Sequence, residues 1–318
     1  KRQTYGSPFY LRGANEDGYM PTRNFTSGVF EDAEAISGEA FANYAIRPLS
    51  CSGCPLHCFH LYEVKEGPYA GVSEGIQFEA TAGLGARCGV NYPPAIIHAN
   101  ALCNRYGLDI MSTGVCIAFG MECFEKGLIS KRDTEGTELR FGNHEAMVSM
   151  IERIAKKTGF GALLSEGTRM AAEKIGRGSE KFAIQGKGLE IVCQDPRGCK
   201  AWGLAYAVSN RGACHNRAFH LLDIQHNIDV SRSLFGTEAA ANLYTIETKG
   251  RSVKWHEDYC AVIDSLGTCK YILTFYVLPE MLVKLLNAAT GWNMTAREML
   301  VIGERIVNLE RLYNGRLG

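Results

Sequence analysis

The amino-acid sequence predicts a mainly α-helical fold built as two helical lobes. Apolar residues recur at helical spacing in several long segments, which begin at Pro, Ser, Thr or Asn and often end at Gly. Only residues 61–69 resemble a β-strand. A Gly-rich polar stretch at residues 176–188 separates the helical segments into two groups. We therefore predict a first domain at residues 1–187 and a second domain at residues 188–318.

The first domain is predicted to open without regular structure and to continue as helices. Residues 1–36 are rich in Gly, Pro and Asn, which favour turns in an extended chain. Ser37 is expected to cap a short helix, and the pattern is helical from Phe78 onwards. Four later helices are predicted, at residues 93–107, 112–127 or 113–127, 143–157 and 165–175. The first begins at Pro93-Pro94, the second is capped by Ser112 or Thr113, and the third is capped by Asn143.

The second domain ends in the best-marked helix of the sequence. Thr295 and Glu298 have the spacing of a capping box, in which each side chain bonds the other residue's backbone N–H. The apolar residues that follow at helical spacing predict a face buried in the core, formed by Met299, Ile302, Ile306, Leu309 and Tyr313.

The charge balance argues against nucleic-acid and membrane binding. The 318 residues include 34 Lys and Arg and 34 Asp and Glu, so no net charge attracts phosphate groups. The most apolar stretch, residues 271–283, is too short to cross a bilayer, which takes about 20 residues. We expect a cytoplasmic protein. Because the sequence begins at Lys1 and stops just after a strong helical pattern, we also expect it to be a piece of a longer chain.

Three cysteines are closely spaced in the segment Cys51-Ser-Gly-Cys54-Pro-Leu-His-Cys58. Thiolates at this spacing suit an iron–sulfur cluster or zinc, and either centre needs a fourth ligand, for which Cys269 is the best candidate. Other interpretations stay open. Disulfides are disfavoured in an intracellular protein, and burial as small apolar residues suits most of the other eight of the twelve cysteines. A structural zinc site usually takes two close Cys or His pairs.

Two distant segments share the pattern Asp/Asn-x-x-Gly-x-Asp/Cys. They are Asn104-Arg-Tyr-Gly-Leu-Asp109 and Asp264-Ser-Leu-Gly-Thr-Cys269. Beside a cysteine loop, this pair resembles the two pterin-binding motifs of the tungsten-containing aldehyde ferredoxin oxidoreductase family. Further segments resemble that family in its own order: Pro21-Thr-Arg-Asn-Phe25, Leu108-Asp-Ile-Met-Ser-Thr-Gly114, Met121-Glu-Cys-Phe-Glu-Lys-Gly127, Asp195-Pro-Arg-Gly198 and Ser209-Asn-Arg-Gly212.

The resemblance implies the two helical C-terminal domains of that family, without its N-terminal pterin-binding domain. It implies a [4Fe–4S] cluster and a tungsten- or molybdenum-containing bis-pterin as cofactors. The residues that match cofactor ligands are Cys51, Cys54, Cys58 and Cys269 for the cluster, and Asn104, Asp109, Asp264 and the backbone near Thr268 for the pterins. Asn104 stands where members of the family often have Asp. Glu79 and His215 match an acid and a histidine near the metal and are the implied catalytic residues.

The implied reaction oxidises a small aldehyde to a carboxylic acid and passes electrons through the cluster to ferredoxin. Burial should raise the pKa of Glu79, which could then act as a base or an acid, and His215 could polarise the carbonyl oxygen or carry a proton. A Glu at a helix start and a core His bonded to the backbone are the simpler alternatives.

Two other functions are left open by the sequence. One is that of a related active-site subunit that reduces aromatic-ring thioesters. The other is a structural module built on zinc or iron–sulfur, without catalysis. For the implied enzyme, we expect this piece alone to be inactive without the missing N-terminal domain, and a homodimer is one expected assembly.

Overall fold

The computed structural model describes residues 2–317 and confirms a mainly helical chain. The chain forms two compact units, the N-terminal unit Lys1–Asp195 and the C-terminal unit Pro196–Gly318. The boundary predicted after residue 187 lies inside the N-terminal unit, because the Gly-rich stretch around it is folded into that unit.

The N-terminal unit opens with short helices, so the extended, turn-rich lead-in predicted for residues 1–36 is wrong at residues 2–16, whereas residues 17–32 form turns without a helix. Leu11 and Ala14 are fully buried, and this packing stabilises helical turns in a sequence rich in turn-forming residues. The predicted cap at Ser37 is confirmed, since its hydroxyl accepts a hydrogen bond from Ala40 N at 3.2 Å. The helices are α1 (Arg2–Tyr5), α2 (Tyr10–Glu16) and α3 (Gly38–Ala42).

A three-stranded antiparallel sheet follows, with strands β1 (Ala45–Leu49), β2 (Phe59–Glu63) and β3 (Ser73–Ile76) in that order. Of these strands, β2 alone overlaps the predicted strand at residues 61–69. Strand β1 lies at an edge, is mostly exposed and contains Pro48, so neither apolar alternation nor composition marks it in the sequence. Leu49 pairs with Phe59, which closes a hairpin around residues 50–58 and the three clustered cysteines.

Helices complete most of the N-terminal unit, and their ends largely follow the predicted signals. Pro93 begins α5, Gly107 ends it with a φ of 67°, and Asn143 caps α7. The predicted cap of α6 is wrong: Asp109, and not Ser112 or Thr113, fills that position. The helices are α4 (Phe78–Ala80), α5 (Pro93–Tyr106), α6 (Ile110–Glu125), α7 (His144–Lys156), α8 (Gly159–Leu164) and α9 (Thr168–Ile175).

Helices α5 and α6 carry much of this unit's core, with Ile96, Ile117 and Phe119 fully buried. Within residues 2–317, no single helix is long and apolar enough to span a membrane. Helices α5 and α6 reach that length and apolar composition only when taken together, and the pair is bent by 119°. The Gly-rich stretch ends in a hairpin of β4 (Gln185–Gly186) and β5 (Leu189–Glu190). Because β5 packs against α6, this stretch is not a linker.

The C-terminal unit is organised around a long, largely buried helix, α13. It packs against α10 and α15. Helix α15 approaches closely at Gly303, where an added Cβ would lie only 2.0 Å from Asp258 O on α13. The helices are α10 (Lys200–Val208), α11 (Leu221–Ile224), α12 (Ile228–Phe235), α13 (Lys249–Ser265), α14 (Pro279–Thr290) and α15 (Ala296–Leu317).

Helix α15 confirms one prediction and corrects another. The capping box forms as expected, with Thr295 N donating to Glu298 Oε2 at 2.8 Å and Glu298 N to Thr295 Oγ1 at 3.2 Å. The predicted core face is wrong beyond the middle of the helix, because Leu309 and Tyr313 are 68% and 63% exposed. The buried face is instead formed by Met299, Gly303 and Val307. Because Gly303 has no side chain, α15 packs closely against α13 on the side of Gly303, and not on the side that the hydrophobic residues predict.

Candidate active site

The three clustered cysteines lie on the loop that joins β1 to β2. This loop contains a turn in which Cys54 N donates to Cys51 O at 3.0 Å, and Gly53 inside the turn has a φ of 70°, which favours glycine. The end of the loop is held by a bond from Ser7 N to Cys58 O at 3.2 Å. Cys51 is exposed, while Cys54 and Cys58 are partly exposed. The local sequence therefore presents three thiols close to the surface.

These thiols suit an iron–sulfur cluster by their chemistry but are not gathered into a ligand set. All three are free of disulfides, as is the exposed Cys269 in the C-terminal unit. Accessible thiols are the groups that cluster ligation requires. Nowhere in residues 2–317 do three or more His, Cys, Asp or Glu side chains converge so that they could hold a metal ion.

The segment 104–109 forms the junction between α5 and α6. Gly107 N donates to Asn104 O at 3.2 Å, and Leu108 N donates to Cys103 O at 2.9 Å. This pair of bonds ends a helix at a glycine in the left-handed region. Asp109 then caps α6, because its Oδ1 accepts from Ser112 N at 2.7 Å. The side chains of Asn104 and Asp109 are both exposed.

The segment 264–269 repeats this geometry in the C-terminal unit, at the end of α13. Gly267 N donates to Asp264 O at 3.1 Å, and Thr268 N donates to Ile263 O at 3.1 Å. The φ of Gly267 is 65°, close to the 67° of Gly107. Cys269 begins a 3-10 helix, and its thiol accepts from Tyr271 N at 3.4 Å. The two segments that share a sequence pattern therefore share a backbone conformation.

The two turns differ in their side chains. Asp264 is about half exposed, at 49%, and forms an ion pair with Lys270. Asn104, at the same place in the first turn, carries no charge. Thr268 already uses its N–H to end the helix, so a ligand could meet only its carbonyl group and its side chain.

Glu79 lies in the short helix α4 and is half-buried. Burial raises the pKa of its carboxyl group, in the direction that the sequence predicts. The helix continues as a π-helical turn at Thr81–Gly85, a rare form that is frequent at functional sites. Cys193 Sγ lies 3.5 Å from Glu79 O and 3.8 Å from the sulfur of Met111, at the start of α6. Cys193, which the sequence did not mark as a site residue, thus lies between Glu79 and the start of α6, next to the first turn.

His215 begins a 3-10 turn in the C-terminal unit, His215–Arg217, and is partly exposed. Its ring lies parallel to that of Trp202, with centroids 6.4 Å apart, and edge-on to Phe219 at 5.8 Å. Trp202 and Phe219 also pack edge-on against each other at 5.9 Å. The imidazole is therefore oriented by aromatic packing and is not a fully buried core histidine.

Sequence reasoning also missed a fully buried arginine, Arg87, which follows the π-helical turn. Its guanidinium donates to Val192 O at 2.7 Å and lies 5.0 Å from the ring centre of Phe25. Burial raises the pKa of the nearby Cys193 thiol to about 12, and the charge of Arg87 opposes that rise. No pattern in the sequence marks Arg87, because arginine is usually exposed.

A second group of buried polar residues lies in the C-terminal unit, centred on His220, which precedes α11, on Asp223 of α11 and on Ser252 of α13. His220 contacts both Asp223, at 2.9 Å, and Ser252, at 2.6 Å. The spacing His-x-x-Asp was the available signal in the sequence, since residues three apart share a helix face.

Comparison with known families supports the motif pattern. The family described as aldehyde ferredoxin oxidoreductase, domains 2 and 3, matches residues 1–318. The chain belongs to this family. The match confirms the resemblance that the cysteine loop and the two turns indicated, and it confirms that the chain corresponds to the helical domains of an aldehyde ferredoxin oxidoreductase.

Two relatives illustrate how far the similarity extends. A tungsten-containing aldehyde ferredoxin oxidoreductase of Pyrococcus abyssi is 38% identical over 319 residues, which cover 99% of this chain and 50% of the relative. An aliphatic sulfonate oxidoreductase, WOR-like subunit, of Pyrococcus furiosus is 29% identical over 302 residues, which cover 92% of this chain and 43% of that protein. The chain thus spans about half the length of the curated relatives it matches.

A solved structure has the same fold. It is the active-site complex BamBC of benzoyl coenzyme A reductase in complex with 1,5-dienoyl-CoA, with a TM-score of 0.75 over 98% of this chain and 52% of the other. At 19% sequence identity, this likeness concerns the fold alone.

Proposed function

We propose that this chain is the helical part of a tungsten- or molybdenum-pterin oxidoreductase. The enzyme would oxidise aldehydes to carboxylic acids and pass the electrons through a [4Fe–4S] cluster to ferredoxin. The observation that carries the proposal is the repeated turn, in which one motif and one backbone geometry recur at the ends of two long helices. Membership of the family and the 38% identity to a tungsten-containing relative support this choice of reaction.

In this proposal the two turns hydrogen-bond the two pterin groups. Asp264 offers a carboxylate, which accepts hydrogen bonds from ring N–H groups. Asn104 offers an amide, which accepts through oxygen and also donates through nitrogen. Asp109 has one carboxylate oxygen engaged as a helix cap, and Thr268 contributes its carbonyl group. The two pterins would therefore meet unlike partners, and the charged contact would be the stronger one.

The cluster would be held by the thiolates of Cys51, Cys54, Cys58 and Cys269. Cys269 belongs to the second turn, so the same few residues that meet a pterin also provide a cluster ligand. Such an arrangement suits a relay that moves one electron at a time away from the substrate.

Glu79 and His215 would handle protons and the substrate. Oxidation of an aldehyde by water yields the acid, two protons and two electrons. The metal–pterin group, when bound, supplies an acceptor for the two electrons. Glu79 would take a proton from the attacking water, and its raised pKa makes it a stronger base than an exposed carboxylate. His215 would hydrogen-bond the aldehyde oxygen, with its ring direction set by Trp202 and Phe219.

The remaining parts of the proposal concern the longer protein. Relatives are about twice as long as this chain, so a further pterin-binding domain would complete the cofactor seat. This piece alone would then be inactive. Ferredoxin is the proposed electron acceptor, the cytoplasm the proposed location and a homodimer the proposed assembly.

The test is metal analysis and turnover of the anaerobically purified full-length protein. We expect tungsten or molybdenum, about four irons per chain, and aldehyde-dependent reduction of ferredoxin or a viologen dye. Zinc without iron would instead indicate a structural module. Reduction of an aromatic thioester without aldehyde oxidation would indicate a ring reductase.

Substitution of Glu79 tests its proposed role in proton transfer. Glu79→Gln should lower kcat by about 10²–10⁴-fold, the usual contribution of a general base, while tungsten content is retained. Glu180→Gln, on an exposed turn of the same unit, is the matched control and should retain full activity. Equal activity of the two variants would remove Glu79 from the mechanism.

A further inference from the structure

A chain of buried hydrogen bonds links α11 to α13 in the C-terminal unit. His220 Nδ1 lies 2.9 Å from Asp223 Oδ1, and His220 Nε2 lies 2.6 Å from Ser252 Oγ. All three residues are 0% exposed. Carboxylate, imidazole and hydroxyl follow one another as in a serine hydrolase, but a substrate could not reach a fully buried Ser252. These residues therefore have a structural role within the protein.

A buried cation lies beside this network. Lys249, which is 2% exposed, places Nζ 3.6 Å from Asp223 Oδ2 and donates to Ala240 O at 2.9 Å. One cation thus faces one carboxylate. An ionised carboxylate only accepts hydrogen bonds, so His220 donates from Nδ1 to Asp223, and its Nε2 bonds the hydroxyl of Ser252.

The network lies on a face of α13 that leads to the second turn. Ser252, His256, Cys260 and Asp264 recur every four residues and so lie along one side of this helix. The first three contact the segment that contains α11. Ser252 bonds His220, the His256 ring lies 4.3 Å from the His220 ring, and Cys260 Sγ accepts from Phe219 N at 3.3 Å. The fourth residue, Asp264, begins the 264–269 turn.

The same segment carries His215. Phe219, whose N–H is bonded to Cys260, packs edge-on against the ring of His215 and against Trp202. His220 is the next residue along the chain. Displacing His220 from Ser252 would therefore move Phe219, and with it the packing that orients His215.

We infer that His220, Asp223 and Ser252 are positioning residues, which hold the segment of residues 214–224 on α13 and so fix His215 relative to Asp264. The catalytic meaning of this inference rests on the proposed function, whereas the geometry does not. An enzyme that needs both residues in place would lose rate when the network is cut, since a displacement of about 1 Å can cost about 10²-fold.

The first test cuts the bond between His220 and Ser252 from either side. His220→Asn keeps a donor near Asp223 but removes the ring nitrogen that bonds the serine, and Ser252→Ala removes only the hydroxyl. In the full-length holoenzyme, each should lower kcat per bound tungsten by about tenfold or more, with KM and tungsten content unchanged. His226→Asn is the matched control, because His226 is exposed and its φ of 49° is one that Asn tolerates. Lower Tm with unchanged kcat per tungsten in both variants would overturn the inference.

The second test needs neither tungsten nor aldehyde. With Trp255→Phe and Trp292→Phe, Trp202 is the remaining tryptophan of the three in this sequence, and it is fully buried beside His215. Its emission should depend on the imidazole ring that lies parallel to the indole, so His215→Asn should change the emission. Ser252→Ala and His220→Asn, which leave His215 in the chain, should also change it, because they displace Phe219 and His215. Unchanged emission in both variants overturns the inference, whereas absence of aldehyde oxidation alone would count only against the proposed function.

Discussion

The turns at residues 104–109 and 264–269 have the same backbone but a different distribution of charge. In each, a left-handed glycine ends a long helix, and the sixth residue begins the next helix with its side chain. The first turn has an amide at its first position and a capping carboxylate, Asp109, at its sixth. The second has an ion-paired carboxylate, Asp264, at its first position and a thiol, Cys269, at its sixth. The shared backbone sets the shape, and the side chains determine which ligand each turn can hold.

The largest expected effect concerns the sixth position. Cys269→Ala should reduce iron from about four atoms per chain to almost none, because a cubane cluster loses one of its four thiolates. Asp109→Ala, at the equivalent place, should retain the iron. Cys123→Ala, which alters a buried thiol on α6, is the control for removing a cysteine. Iron and sulfide analysis of anaerobically purified proteins provides the measurement.

The outcome would test the proposed ligand set directly. Full iron content in Cys269→Ala would show that Cys269 is not a ligand, and loss of iron in Cys123→Ala would show that the assay reports stability and not ligation.

The next effect concerns the two glycines. Gly107→Ala and Gly267→Ala should each destabilise by about 1–2 kcal/mol, because both residues have positive φ. The losses should be equal, since nothing lies within 4 Å of an added Cβ at either place. Gly107→Asn and Gly267→Asn should lose less, because Asn tolerates this conformation. Chemical denaturation provides the free energies of unfolding, and unequal losses would show that the two turns are not equivalent.

A smaller effect separates the two caps. Asp109→Ala should cost about 1 kcal/mol of folding stability, because Ser112 N loses its acceptor at the start of α6. Cys269→Ala should cost less in a protein prepared without cluster, because sulfur is a weak acceptor. If urea denaturation finds the second loss to be the larger, Cys269 has a structural role that its contact with Tyr271 N does not explain.

The smallest effect concerns the first positions. Asp264→Asn should change stability by at most about 1 kcal/mol, since Asp264 is 49% exposed in its pair with Lys270. Asn104→Asp should cost about 0.3–1 kcal/mol, because a negative charge then stands at the C-terminus of α5 without a cation placed as Lys270 is. Repeating both measurements in 1 M NaCl should diminish both changes. Changes that do not depend on salt would mean that charge is not what distinguishes the two turns.

Particular residues show where sequence reasoning succeeded and where it did not. The caps predicted at Ser37, Asn143 and Thr295 are confirmed, because a cap depends only on a residue about three positions away. The cap predicted at Ser112 or Thr113 is wrong, since Asp109, which is also a predicted cofactor ligand, occupies the cap position. Strand β1 is not predicted from the sequence, because an exposed edge strand needs no alternation of apolar and polar residues.

The sequence by itself determined the features that depend on neighbouring residues. The left-handed ends at Gly107 and Gly267, the accessible thiols of the cysteine loop and the family motifs are of this kind, since backbone sterics and ligand chemistry act over a few residues. Tertiary structure alone decided which face of α15 is buried, that Arg87 is enclosed, and that His220 meets Ser252. Each of these features depends on contacts between residues far apart in the chain. The free energy of packing or burying a side chain in such contacts is not encoded in the pattern of its sequence neighbours.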